Sequence, residues 1–92
     1  MLVAEIIQEK ISARLSPSRL DVKDESHLHA GHAGAREGGQ SHFRVMIVTD
    51  QFEGLSRVAR QRLVNDILRE ELAGPIHALT LKTLTPQEAE NN

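Results

Sequence analysis

The chain has no cysteine, no tryptophan, no tyrosine and only two phenylalanines in 92 residues. Without cysteine, no disulfide braces the fold and no thiolate can be offered to a metal. Any metal held here takes nitrogen or oxygen from this chain, or sulfur from a partner. So few aromatic rings exclude a stacking platform for single-stranded nucleic acid. No apolar run approaches the roughly 20 residues that a membrane-spanning helix needs. The N-terminus also lacks a basic region followed by an apolar block. A net charge of −2 argues against a protein that coats nucleic acid by charge alone. One small cytoplasmic domain, with no membrane partner, is the expectation.

What is present is periodicity. Over residues 1–15, Leu2, Val3, Ile6, Ile7, Ile11 and Leu15 fall on one stripe, which predicts an amphipathic helix. Ser16-Pro17-Ser18 breaks it. Leu20 and Val22 alternate with Arg19, Asp21 and Lys23, the pattern of a half-buried strand. Phe43 to Val48 reads as a second strand, with Phe43, Val45 and Ile47 on one side and Arg44, Met46 and Val48 on the other. Asp50 to Gly54 forms a turn. Leu63, Val64, Ile67, Leu68 and Leu72 then recur at helical spacing within a helix of about 17 residues, Ser56 to Leu72. Gly74-Pro75 stops it, and Ile76 to Thr83 resumes the strand pattern.

The order is helix, strand, strand, helix, strand. The first two strands should pair antiparallel, and a crossover helix leads the third to a parallel partner. The fold class is therefore α+β: a two-layer α-β-β-α-β sandwich, with a three-stranded mixed sheet and helices on one face. The domain is expected over residues 1–84. The pattern fades after Thr83, so 85–92 reads as a frayed tail.

Between the first two strands, from about Glu25 to Gln40, the chain is polar and glycine-rich. A patternless segment of that size inside a small domain is uncommon, and is usually functional or disordered. It carries His27, His29 and His32, and His77 opens the last strand. Imidazole suits zinc, copper and iron. The spacing matches no standard zinc signature. On the residues alone, the plainer reading is favoured: solvated loop histidines and a half-buried His77.

Three other patterns stand out. Ser56 is a candidate N-cap, yet the turns after it carry Arg57, Arg60 and Arg62 rather than acids. Cations there oppose the helix dipole and suit an anionic ligand or surface, with Arg69 and Lys82 extending the patch. An ordinary solvated arginine face fits equally well. Gly31-His32-Ala33-Gly34 matches the GxxG of KH modules formally, but lies between strands, so it is read as accidental. Asp24, Ser26 and His27 are sequence neighbours, which do not make a catalytic triad, and nothing resembles a nucleophile elbow. No enzyme is expected.

Several spaced blocks carry a resemblance. They are Asp24-Glu25-Ser26, Ser41-His42-Phe43-Arg44-Val45, Phe52-Glu53-Gly54-Leu55-Ser56, Arg60-Gln61-Arg62-Leu63-Val64, Glu70-Glu71-Leu72 and Ile76-His77-Ala78-Leu79. Together they resemble the BolA family, from the first helix to about Glu88. The resemblance implies an α-β-β-α-β fold related to type II KH domains. It implies binding to a monothiol glutaredoxin and a shared, bridging 2Fe–2S cluster, with no cofactor held by the chain alone. Glutaredoxin and glutathione would give the thiolates. The BolA side would give the strand histidine, which His77 matches, and a loop residue, which His29 matches best with His32 next. It also implies a second role, as a DNA-binding transcriptional regulator of stress response or morphology. That role would use the helix from Ser56 with Arg57, Arg60, Arg62 and Lys82. Whether the chain forms a homodimer is left open.

Overall fold

The computed structural model describes residues 2–25 and 42–91. Helix α1 spans Val3–Leu15. Ile7, Ile11 and Leu15, four residues apart, form its buried stripe, while Leu2 lies exposed at its start. Ser16 ends the helix in the left-handed region, at φ 43°, with its N–H donating to the Ser12 carbonyl at 3.1 Å. Pro17 then prevents continuation.

Three strands follow in the expected arrangement: β1 (Arg19–Asp24), β2 (His42–Val48) and β3 (Ala78–Leu84). The sheet order is β1-β2-β3. The pair β1 and β2 is antiparallel, from Arg19 opposite Val48 to Asp24 opposite Phe43. The pair β2 and β3 is parallel, from His42 opposite Ala78 to Val48 opposite Leu84. Pleat alternation puts Phe43, Val45 and Ile47 on one face. Their cross-strand neighbours there are Leu20 and Val22 on β1, and Leu79 and Leu81 on β3. Arg44, Met46 and Lys82 consequently point to the opposite face.

The crossover begins with a single 3-10 turn, Asp50–Phe52, whose Phe52 ring is fully buried. Thr49, also buried, donates its hydroxyl to the Leu15 carbonyl at 2.8 Å, tying the turn to the end of α1. Gly54 takes φ 82°, where a side chain would be strained. Ser56 is the N-cap: its Oγ accepts from the Ala59 N–H at 3.1 Å.

The helix beyond is not one piece. It divides into α2 (Arg57–Ile67) and α3 (Arg69–Ala73), because Leu68 leaves the helical well at φ −101°, ψ 20°. Neither glycine nor proline marks that joint. Leu68 is fully buried, so its packing, not its local preference, accompanies the break. Gly74 ends α3, and both its N–H and that of Ile76 donate to the Glu71 carbonyl.

The expected tail is instead structured. Thr85 and Glu88 form a reciprocal capping box, and Pro86 opens helix α4 (Pro86–Glu90). The Thr-Pro-Gln-Glu sequence carried that signal.

One core unites the two layers. Ile7 and Ile11 from α1, Phe43, Val45 and Ile47 from β2, and Val64 and Ile67 from α2 pack together. The helices α1 and α2 therefore lie on one face of the sheet, as expected. Among the described residues no helix is long and apolar enough to cross a membrane.

Candidate functional site

Parallel pairing of β2 with β3 brings two histidines to the same end of the sheet. His42 opens β2, and His77 immediately precedes β3. Because His42 faces Ala78 in the register, His77 lies one step beyond it. The ring centroids are 6.2 Å apart and the planes are tilted by 50°. His77 is exposed, and His42 is half-buried. The imidazole of His77 is thus not locked in the core, which is the placement a ligand role requires.

The same end of the sheet holds both roots of the histidine-bearing segment. Glu25 donates its N–H to the His42 carbonyl at 2.8 Å, so the chain leaves and returns beside His42. Arg44 steadies this end, with Nε 3.2 and 3.3 Å from the two carboxylate oxygens of Glu25. His27, His29, His32 and the GxxG of Gly31 to Gly34 lie outside the described residues.

Two imidazoles on one tetrahedral ion, with metal–nitrogen bonds of about 2.0–2.1 Å, hold their centroids roughly 5 Å apart. The His42–His77 separation, 6.2 Å, is about 1 Å more, so His42 stands as a neighbour of His77 and not as its fellow ligand. Among the described residues, no group of three or more possible ligands gathers for a metal. The donor set is nitrogen and oxygen only, since the chain has no cysteine. Such a set leaves any sulfur ligand of a centre here to be supplied by a partner. The sequence alone does not place His42 beside His77. Its signal is visible once the parallel register is known, because the first residue of β2 must then meet the entry to β3.

The predicted arginine patch divides three ways. Arg57 and Arg62 are exposed on α2. Arg60 is not: only 6% of it is exposed. Its Nε donates to the Leu55 carbonyl at 3.1 Å, and its Nη1 to the Thr83 carbonyl at 3.1 Å and Glu88 at 2.7 Å. Its guanidinium also lies over the Phe52 ring, 5.7 Å from the centroid. Arg60 is therefore a structural clamp between α2, β3 and α4, and is withdrawn from the binding patch. The hydrogen bond from Arg60, then that from the Thr85 N–H, lowers the Glu88 carboxyl to about 2. Lys82 is also separated from Arg57 and Arg62, because strand alternation turns it to the far face of the sheet. Arg69 lies exposed on α3 and pairs with Asp66 at 2.9 Å.

Comparison with known proteins adds the following. The family model described as BolA-like protein matches residues 11–88. The chain is similar to an uncharacterised Sinorhizobium protein encoded in the cobS 5' region, 45% identical over 89 residues and covering 96% of each chain. It is 42% identical to the DNA-binding transcriptional regulator BolA of Vibrio cholerae, over 95% of this chain and 78% of that one. Among solved structures, the BolA domain of SufE1 from Arabidopsis thaliana superposes with a TM-score of 0.82 at 42% identity, covering 92% of this chain and 93% of that one. The chain spans only 23% of the full SufE-like protein 1 of that plant.

Proposed function

The chain belongs to the BolA family, and from that premise we propose that it is a non-enzymatic adaptor for a 2Fe–2S cluster. It docks a monothiol glutaredoxin and supplies nitrogen to a cluster bridging the two proteins. His77 gives one nitrogen. A histidine of the loop gives the other, His29 first and His32 next. Glutaredoxin and glutathione supply the sulfur ligands that a cysteine-free chain lacks. The cluster, when bound, is the transferable and redox-active unit, and nitrogen ligation tunes its potential.

The observation that carries this reading is the placement of His77. It is exposed at the sheet end where the loop is rooted, beside a second imidazole at 6.2 Å. Strand pairing fixes where His77 enters, so the chain presents its nitrogen while the partner brings the thiolates. Imidazole must be neutral to bind iron, so acid competes with the cluster for His77.

The test is to mix the protein with a cluster-loaded monothiol glutaredoxin and to record visible absorption and circular dichroism. A new spectrum is expected, and it should revert to that of glutaredoxin alone with His77→Ala. An unchanged spectrum overturns the reading, as does a change that survives His77→Ala. His29→Ala and His32→Ala then separate the loop candidates.

A second reading, a DNA-binding regulator, rests on the exposed ridge of α2. Arg57, Val58 and Arg62 all face solvent there, and the Vibrio cholerae relative is named for DNA binding. Its phosphate contacts are Arg57 and Arg62, without Arg60. Duplex binding should weaken steeply with salt, and Arg62→Ala should lower the salt slope by about 1. Absence of binding at low salt removes this reading.

A further inference from the structure

The sheet face turned away from the helices holds an excess of one charge. Arg19 and Lys23 on β1, Arg44 on β2 and Lys82 on β3 all point there, against two carboxylates, Asp21 and the adjoining Glu25. The whole chain carries −2, so this face stands out against an acidic remainder. The register makes the cations a band. Lys23 lies directly opposite Arg44, and Lys82 opposite Met46, the next outward residue along β2. Neighbouring strands lie about 4.8 Å apart, and outward residues recur at roughly 6.6 Å along each strand. That spacing matches alternate side chains of an extended peptide.

We propose that this open face is a docking surface for an extended acidic segment of a partner protein. It is separate from the α2 ridge and needs neither cluster nor histidine. The face already takes carboxylate: Arg44 Nε holds Glu25 at 3.2 Å, and Arg19 Nε holds Asp21 at 3.3 Å. Lys23 and Lys82 have no ion-pair partner among the described residues and are exposed. They are the positions left for incoming carboxylates, with the half-buried Met46 as the apolar floor between them. Nucleic acid fits this face less well. Among the described residues the one aromatic ring on it is the half-buried imidazole of His42 at its edge, which gives bases no platform to stack upon. The acidic remainder of the molecule also repels a polyanion as dense as duplex DNA.

The experiment titrates the full-length, isotopically labelled protein with a decaglutamate peptide at low ionic strength and follows backbone amide shifts. Shifts centred on β1, β2 and β3 are expected, and they should fade as salt rises. Lys23→Glu with Lys82→Glu should weaken binding by about tenfold or more. Arg14→Glu with Arg69→Glu, an equal charge change on the helical side, should leave the affinity within about twofold. All four positions are exposed, and far-ultraviolet circular dichroism verifies each fold. Absence of binding overturns the proposal. Equal losses in the two double variants overturn it too, since the attraction would then follow total charge. Tighter capture of a short DNA duplex, lost in Lys23→Glu with Lys82→Glu, overturns the choice of an acidic protein segment as occupant.

Discussion

Arg60 shows how far one residue can depart from its expected role. By type and position it belongs to a surface patch, three residues beyond Arg57 on the same helix. In the fold its guanidinium answers two backbone carbonyls and a carboxylate. Replacing it with alanine strands those acceptors in a buried setting, and unfolding stability should fall by about 2–4 kcal/mol. Urea denaturation would measure this. Arg60→Lys should recover only part of the loss, because an ammonium cannot reproduce the planar fork. The partner carboxylate sets a pH signature. Glu88 is ordinary at 4.5 when unfolded and about 2 when folded, so its stabilisation is complete above the first value. It drains away as the pH drops toward the second. The stability gap between wild type and Glu88→Gln should therefore close across that window.

At the scale of elements, β2 holds the centre of the sheet, bonded on one side to β1 and on the other to β3. Its Val45 and Ile47 are fully buried. Native-state hydrogen exchange should find their amides among the slowest, near the global unfolding limit, and those of α4 much faster. Fast exchange at Val45 would contradict this ranking. The elements were legible wherever a period repeated cleanly, as in Ile7, Ile11 and Leu15, or Phe43, Val45 and Ile47. Two features were not. The break at Leu68 has no local signal, since leucine favours helix. Helix α4 had a local signal, the Thr85–Glu88 capping box behind Pro86, but too few apolar residues to show a period.

At the scale of the molecule, the candidate site was half legible. A lone histidine at a strand entry drew attention to His77, and the fold leaves it exposed. The pairing with His42 depends on register across a crossover, which no single stretch of sequence encodes. The extension of the arginine patch to Lys82 was lost for the same reason. A helix face and a strand residue looked contiguous in composition, but the sheet lies between Arg62 and Lys82. Distance along a chain says little about which side of a layer a charge occupies.

The position of β3 also bears on the protein's birth. Of the three strands, the parallel one is the last to leave the ribosome. Until it emerges, the innermost strand of the finished sheet has one flank unsatisfied. A nascent chain stalled before Ile76 would expose that flank to any neighbour able to pair with it. Premature termination there should yield aggregates and chaperone clients, rather than a smaller working domain.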